Sequence, residues 1–477
     1  MSKFNGFPRT FWIANVIELF ERWAWYGMFI PLSLYLTNST DTGALGFSQI
    51  EKGTIMGVVS AMLYLLPIIT GAIADKFGYK KVLLISLMIL SSGYYLLTFF
   101  TEYYSFFFAF LYLGIGAALF KPIIAATVAK TTNESNSSIG FGIFYQIVNI
   151  GAFIGPLFAS ELRETSWNYL FYASAIAILL NIVLTIFFYK EPERETDDLP
   201  FFKSIAKIFQ NIWHVLKDFR FAIFLIIIIG FWTMYFQLFY TLPVFIEQWV
   251  DTRILYNSLN NISPSLAQIV GTEVGTVAAD RIVNIDAGYI IIFQILVSTF
   301  VMKFKPINAM IAGIIVASIG LGVTFIFQNP FFLFLSILIF SLGEMASSPK
   351  ITEYISKVAP NDKTALYIGT SYLPLAGGNL FAGIISGVVY SNMSDKISLL
   401  ETELSSRNIV FQEISDSYTQ NNFIQDSLIQ LNMTEPELTS YLWNTYQPSN
   451  IWYVFTGIGL FTALALFLFN KYGIKKG

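Results

Sequence analysis

The ten residues ELFERWAWYG at positions 18–27 set Glu18, Glu21 and Arg22 into a run otherwise made of Phe, Trp, Ile, Leu and Val. Side chains three and four positions apart share a helix face. Glu18, Glu21, Arg22, Trp25 and Tyr26 therefore form one stripe. Such a stripe is costly against lipid and marks a cavity or partner helices. Glutamates placed there can titrate, because burial favours the protonated form and a nearby cation the ionised one. A ligand or neighbour that changes this balance moves a proton. The competing reading is a static ion pair that fixes helix packing.

Other charges interrupt apolar runs in the same way. Lys121, in GIGAALFKPIIAATVAK at 114–130, precedes Pro122, where a helix is commonly kinked. A lone buried lysine needs a carboxylate partner, and the stripe offers two; Gly114 and Gly116 permit close packing. In GEMASSPKITEYISKVAP at 343–360, Glu344 is expected near mid-membrane, the only carboxylate so placed in the C-terminal half, and Pro349 should break the local ladder. Lys350 and Glu353 have the spacing of a pair, more suited to gating or packing than to ligand binding. In GAIADKFGYKK at 71–81, Gly71, Asp75, Gly78 and Lys80 read as a conformational and topological device. Asp75 can accept bonds at a helix end, Gly78 allows a tight turn, and the lysines anchor to the inner leaflet.

The elements that must carry these residues are membrane helices. Of the 477 residues, 55% are hydrophobic and 12% charged, and the mean hydropathy is +0.61; a soluble chain is roughly 25% charged. A soluble helical bundle is excluded, because the apolar runs would leave too little polar surface. A net charge of −3 gives no basic surface for nucleic acid. The absence of cysteine removes thiol chemistry, and one histidine, His214, is poor material for a metal site. No metal and no cofactor is expected, and no cleavable signal peptide. No nucleophile, base and orienting group converge in a motif, so an enzyme is not expected. The composition hints at a bacterial source.

A bilayer core of about 30 Å needs roughly 20 apolar residues per helix. Twelve spans are expected, at 11–37, 49–74, 79–99, 103–130, 137–161, 167–189, 219–248, 285–303, 306–327, 330–358, 362–391 and 451–471. Residues 255–284 read as a loop with a short helix. With both termini inside, the inner loops hold 19 lysines and arginines and the outer loops six, Lys52 among them. The organisation is an N-terminal six-helix bundle (1–189), a basic cytoplasmic linker (190–220) with ERETDDLP at 193–200, and a C-terminal bundle (221–477). A polar insertion at about 392–450 lies outside; its segment 394–409 has helical periodicity, and it reads as a tolerated surface insertion.

The loop GAIADKFGYKK resembles the signature of the major facilitator superfamily, and twelve spans split six and six match that all-α fold. The first-span string resembles the E-x-x-E-R-F-x-Y-Y-G motif of the proton-dependent oligopeptide transporter family: Glu18, Glu21, Arg22, Tyr26 and Gly27 match, while Trp23 and Trp25 replace aromatic partners. YLLPIITGAIAD at 64–75 resembles that family's second span, with its binding tyrosine at Tyr64. Lys121-Pro122 matches its fourth-span Lys-Pro, and FYQIVNIGAFIGP at 144–156 its fifth, with the ligand-binding asparagine at Asn149. GEMASSP (343–349) and KVAP (357–360) resemble its tenth span, and Gly378-Asn379 a pair in the eleventh. FWTMYFQ at 231–237 resembles its seventh, with Gln237 retained and Phe236 where an acid is common. Ser371 stands at the usual eleventh-span tryptophan, and the linker lacks the two extra helices of many bacterial members.

The resemblance implies a proton-coupled symporter importing di- or tripeptides by alternating access, monomeric, in the bacterial inner membrane, with protons and lipid as its other partners. It assigns the substrate carboxylate to Arg22 and Lys121, its ammonium to Glu344, and proton coupling to Glu18, Glu21 and Lys121. Tyr26, Tyr64, Asn149 and Gln237 would line the substrate. The alternatives are a relative moving another small anion or zwitterion, and a non-transporting receptor or structural membrane protein.

Overall fold

The computed structural model describes residues 6–133, 136–193, 200–324, 327–360 and 363–472. Lys3, Arg194, Lys475 and Lys476 of the expected inner charges, and most of the 193–200 motif, lie outside the described residues. Among the described residues the regular structure is helical, with no strand. Helices suit the apolar runs because each satisfies its own backbone polar groups where water is absent.

Eight helices are long and apolar enough to cross a membrane, and a ninth is formed by Gln49–Leu65 and Pro67–Phe77, bent by 44°. The remaining expected spans fall on helices that are more charged or shorter. Arg9–Phe29 carries the charged stripe, Tyr79–Leu96 opens on Lys80 and Lys81, and Pro306–Gly322 is 17 residues long. The chain is an integral membrane protein.

Prolines act differently by position. Pro67 opens the second half of its bent helix, with its missing N–H at a terminus where no partner is needed. Pro122 and Pro349 lie inside the continuous helices Tyr103–Lys130 and Phe331–Val358. Pro349 removes one donor from the ladder, as expected, but the helix continues, because the turns on either side remain bonded and packed. The seventh expected span is instead divided into Phe219–Tyr235, Gln237–Tyr240 and Leu242–Trp249. Before the eighth, residues 255–284 hold parts of Arg253–Ile262, Pro264–Val270 and Ala279–Val283, more helix than the one short element expected.

The chain forms two compact units. The first comprises Met1–Met28, Val59–Ile226 and Thr352–Ala376; the second comprises Phe29–Val58, Ile227–Ile351 and Gly377–Gly477. In the first, the linker carries an amphipathic helix, Phe201–Leu216, that packs against Pro67–Phe77 and Thr364–Gly369. Its Phe202, Phe209 and Trp213 are exposed.

In the second unit, helix backbones meet at glycines. A Cβ on Gly53 would stand 2.2 Å from the Gly383 carbonyl oxygen, and one on Gly383 would stand 2.3 Å from that of Gly53. Lys52, expected in an outside loop, is instead fully buried beside this contact. Its Nζ donates to Gln49 Oε1 at 2.8 Å and to the Tyr240 carbonyl at 3.0 Å, over the Tyr390 ring. Fixed acceptors replace the water it loses, which makes the burial tolerable. Gln49 and Gln248 both donate to Asp395 Oδ1 at 2.9 Å.

The insertion forms three helices, Lys396–Ser406, Gln420–Leu431 and Glu435–Tyr446. The last starts in a Thr434/Glu437 capping box, whose Thr434 backbone N–H and hydroxyl hold Glu437 below its ordinary value. Glu403 gathers Tyr441, Tyr446 and Arg407, and Asn421 ties the insertion to Ser39 and Asp41.

The glycine contact yields a stability prediction. Gly383→Leu should overpack it, at a cost of about 1–3 kcal/mol. Gly457→Leu is the control, since a Cβ at Gly457 meets nothing within 4 Å. The thermal unfolding midpoint in detergent should fall for the first variant and hold for the second; equal midpoints would refute the contact.

Candidate functional site

In the first unit the charged stripe lies on Arg9–Phe29, and glycines decide how closely a second helix approaches it. A Cβ on Gly151 of Ser137–Thr165 would stand 2.8 Å from both Arg22 Cβ and the Leu19 carbonyl oxygen, and one on Gly155 would stand 2.4 Å from that of Trp23. Gly27 faces Gly155 from the stripe's own helix, which explains the small residue there. From Trp167–Phe187, Asn181 Nδ2 donates to the Ile17 carbonyl at 2.8 Å and Ser174 Oγ to that of Ala24 at 3.3 Å. The helix bearing the charges is thus held through its backbone, leaving the charged side chains to one another.

Glu18, Glu21 and Arg22 are buried, with 6%, 0% and 5% exposure, so their pairing is solvent-poor. Arg22 Nε donates to Glu21 Oε2 at 2.5 Å and stands 3.3 Å from Glu18 Oε1. Its guanidinium also lies 5.7 Å from the centre of the Tyr26 ring. Among the described residues Glu21 Oε1 has no hydrogen-bond partner.

Lys121 departs from expectation. Among the described residues no carboxylate lies within ion-pair distance of it, because Arg22 has taken both. Its Nζ stands 4.4 Å from the centre of the Tyr64 ring, whose face is attractive to a cation. Glu18, Glu21 and Arg22 still act on it electrostatically. Tyr64 stacks in turn on Tyr372, a residue that sequence reasoning did not single out. Asn149 is half-buried on the helix of Gly151. The cluster therefore sets two carboxyl groups beside two basic groups, and Lys121 lies against a ring rather than in an ion pair among the described residues.

The loop device is assembled nearby in the chain. Gly78 has φ +102°, a conformation that favours glycine, between Pro67–Phe77 and Tyr79–Leu96. Asp75 accepts from Tyr79 Oη at 2.7 Å, Tyr79 N–H donates to Glu191 at 2.9 Å, and Lys80 Nζ to the Ile186 carbonyl at 2.9 Å. Gly71, Asp75, Tyr79, Pro122 and Lys130 line a cleft of about 460 Å³. Glu353 pairs with Lys357 at 2.6 Å, and Lys350 is buried.

In the second unit Gln237 is fully buried and internally engaged. Its Nε2 contacts the Thr233 and Ala382 carbonyls at 3.2 and 3.3 Å, and Thr241 donates to its Oε1. Asn379 accepts from Tyr240 Oη at 2.8 Å. Phe236 sits among the rings of Trp232, Tyr235 and Tyr240. Glu344 is half-buried, and among the described residues its Oε2 has no hydrogen-bond partner. It is not the only carboxylate of its region: Asp286 is buried on Ile285–Val301, and its charge acts on Glu344. The sequence reading missed Asp286 because it falls one residue inside an expected span boundary, where an acid at a helix start looks like an ordinary terminus.

Residues 11–284 match the Major Facilitator Superfamily. The chain belongs to that superfamily. YclF of Bacillus subtilis, an uncharacterized transporter, is 29% identical over 186 residues, 38% of this chain and 38% of its own. Dipeptide and tripeptide permease A of Cronobacter turicensis is 29% identical over 185 residues, 38% of this chain and 36% of its own. The matched region spans little more than a third of the length of these curated relatives. Among solved structures, a peptide transporter POT mutant in complex with alafosfalin superposes with a TM-score of 0.71 at 16% identity, covering 98% of this chain and 95% of that one. A POT family transporter in complex with 5-aminolevulinic acid gives 0.71 at 18%, covering 99% and 98%. The fold is that of these transporters.

The ion cluster makes its own prediction. Removing one partner of a buried pair costs about 3–5 kcal/mol. Arg22→Gln should lower the thermal midpoint, and adding Glu21→Gln should recover part of the loss, because it deletes the carboxylate left unpaired. Losses that simply add in the double variant would show that the two do not act as a unit.

Proposed function

We propose that this superfamily member is a proton-coupled symporter that imports di- and tripeptides. The observation that carries the reading is the buried balance of Glu18 and Glu21 against Arg22 and Lys121. A substrate carboxylate drawn to Arg22 or Lys121 adds a negative charge to a low-dielectric cluster that was balanced. The excess is relieved when one glutamate takes a proton. Substrate anion and proton then enter together. Lys121 is the available cation, since a ring face holds it more weakly than a carboxylate would. Arg22 must release a glutamate to bind substrate, which ties its engagement to protonation.

Glu344 supplies the opposite charge, for the ammonium end of a zwitterion. Tyr26, Tyr64 and Asn149 supply ring and amide surface, while Gln237, with its amide engaged, acts in shape rather than as a donor. A relative that is a dipeptide and tripeptide permease, and a neighbouring transporter in complex with a thioalcohol-conjugated peptide, support a peptide-like substrate. Transport proceeds by alternating access of two six-helix bundles, 1–189 and 221–477, joined by the linker 190–220, as a monomer. Both termini are cytoplasmic in a bacterial inner membrane, and the insertion at 392–450 is outside. Gly71, Asp75, Gly78, Lys80, Lys350 and Glu353 serve the conformational change. A second reading, another small zwitterion, is favoured by Phe236 and by the neighbour bound to 5-aminolevulinic acid.

The deciding experiment is uptake into proteoliposomes driven by a pH gradient, competed by free and C-terminally amidated peptides. Losing one charge-assisted contact costs about 1.5–3 kcal/mol, so amidation should weaken competition about ten- to a hundredfold. Equal competition by both forms would overturn the carboxylate assignment.

The coupling role is tested separately. Glu21→Gln should abolish uptake driven by the pH gradient while sparing most of the counterflow exchange, which needs no net proton movement. Unimpaired gradient-driven uptake would remove Glu21 from coupling.

A further inference from the structure

We propose that Asp286 is a second proton-carrying group of the transport cycle, acting with Glu344 and held by Ser341; this rests on the proton-coupled reading above. Asp286 is 5% exposed in the first turn of Ile285–Val301. Ser341 Oγ has two close oxygen neighbours, the Ile337 carbonyl at 2.6 Å and Asp286 Oδ1 at 2.5 Å. A hydroxyl has one proton to donate, and a carbonyl has none. Both contacts hold a proton only when Ser341 donates to Ile337 and a protonated Asp286 donates to Ser341. When Asp286 is ionised, Ser341 must turn its proton to the carboxylate and leave the Ile337 carbonyl. The two arrangements differ by a hydroxyl rotation and one proton. On release, the Asp286 O–H bond breaks, water takes the proton as hydronium, and the carboxylate accepts from Ser341.

Glu344 lies three residues beyond Ser341 on the same helix, within reach of the Asp286 charge, with Oε2 unpartnered among the described residues. Tyr235 donates to Glu344, and Tyr289, on the helix of Asp286, donates its hydroxyl to the Phe334 carbonyl. Among the described residues no lysine or arginine acts on either carboxyl. Two ionised carboxylates without a cation repel in a low dielectric. With the proton on Asp286, Glu344 stays anionic for a substrate ammonium. When the ammonium is gone, Glu344 is the member left without a counter-charge.

The test is infrared difference spectroscopy of the detergent-purified full chain between alkaline and acid pH, with proton-to-peptide stoichiometry from reversal potentials in proteoliposomes. A protonated-carboxyl C=O band should be present in the native protein and lost in Asp286→Asn. In Ser341→Ala, a milder change, the band should persist but titrate at a different pH, which a purely structural serine would not cause. The native proton-to-peptide ratio should exceed that of Asp286→Asn. A band unaffected by Asp286→Asn, or a native titration in Ser341→Ala, would overturn the proposal. If Asp286→Asn does not fold, the Ser341→Ala titration decides. A native protein that shows these bands but carries no peptide-driven proton current would defeat the symport reading while leaving Asp286 as a proton-binding group.

Discussion

The constraint on which the structure depends is the cost of charge where water is scarce. Arg22 meets it by taking both Glu18 and Glu21, and everything around the three serves that arrangement. Gly27, Gly151 and Gly155 let two helix backbones approach closely enough to exclude solvent. Asn181 and Ser174 hold the same helix by its carbonyls. The pair is therefore sealed by residues that carry no charge. A buried ion pair adds little net stability over a well-packed apolar alternative, while breaking one is costly.

The same economy recurs in three other places with different partners. Lys121 rests on a ring. Lys52 is held by an amide oxygen, a backbone carbonyl and a ring. Asp286 is held by a serine hydroxyl. Each of these three groups has a neutral partner that stabilises it without cancelling its charge. Groups with full counter-charges at the surface, such as Arg253 with Asp251, are screened by water.

The helix interruptions follow a related logic. Pro67 and the breaks on either side of Gln237–Tyr240 leave backbone groups outside the regular ladder. Such departures are tolerated at membrane depth only where protein supplies partners. The Tyr240 carbonyl at the second break accepts from Lys52, which turns an irregular backbone into part of a polar network. Pro122 and Pro349, in helices that continue past them, need no such network.

By itself the sequence determined the all-helical membrane class, the superfamily, and the charged stripe on the first span. These depend on local facts: apolar run length, a helical period of i, i+3 and i+4, and residue types that lipid does not accept cheaply. It also located Glu344, Lys121 and the Gly78 turn, since each is conspicuous against its own neighbours. Partner choice was decided only by tertiary structure. Nothing local says that Arg22 would take both glutamates and leave Lys121 to Tyr64, that Lys52 would be buried rather than in a loop, or that Asp286 would meet Ser341. Those outcomes depend on which residue of a distant helix arrives first within hydrogen-bond distance. That is set by the close approach of backbones at glycines such as Gly53, Gly151 and Gly383, which a linear pattern records as residues but not as contacts.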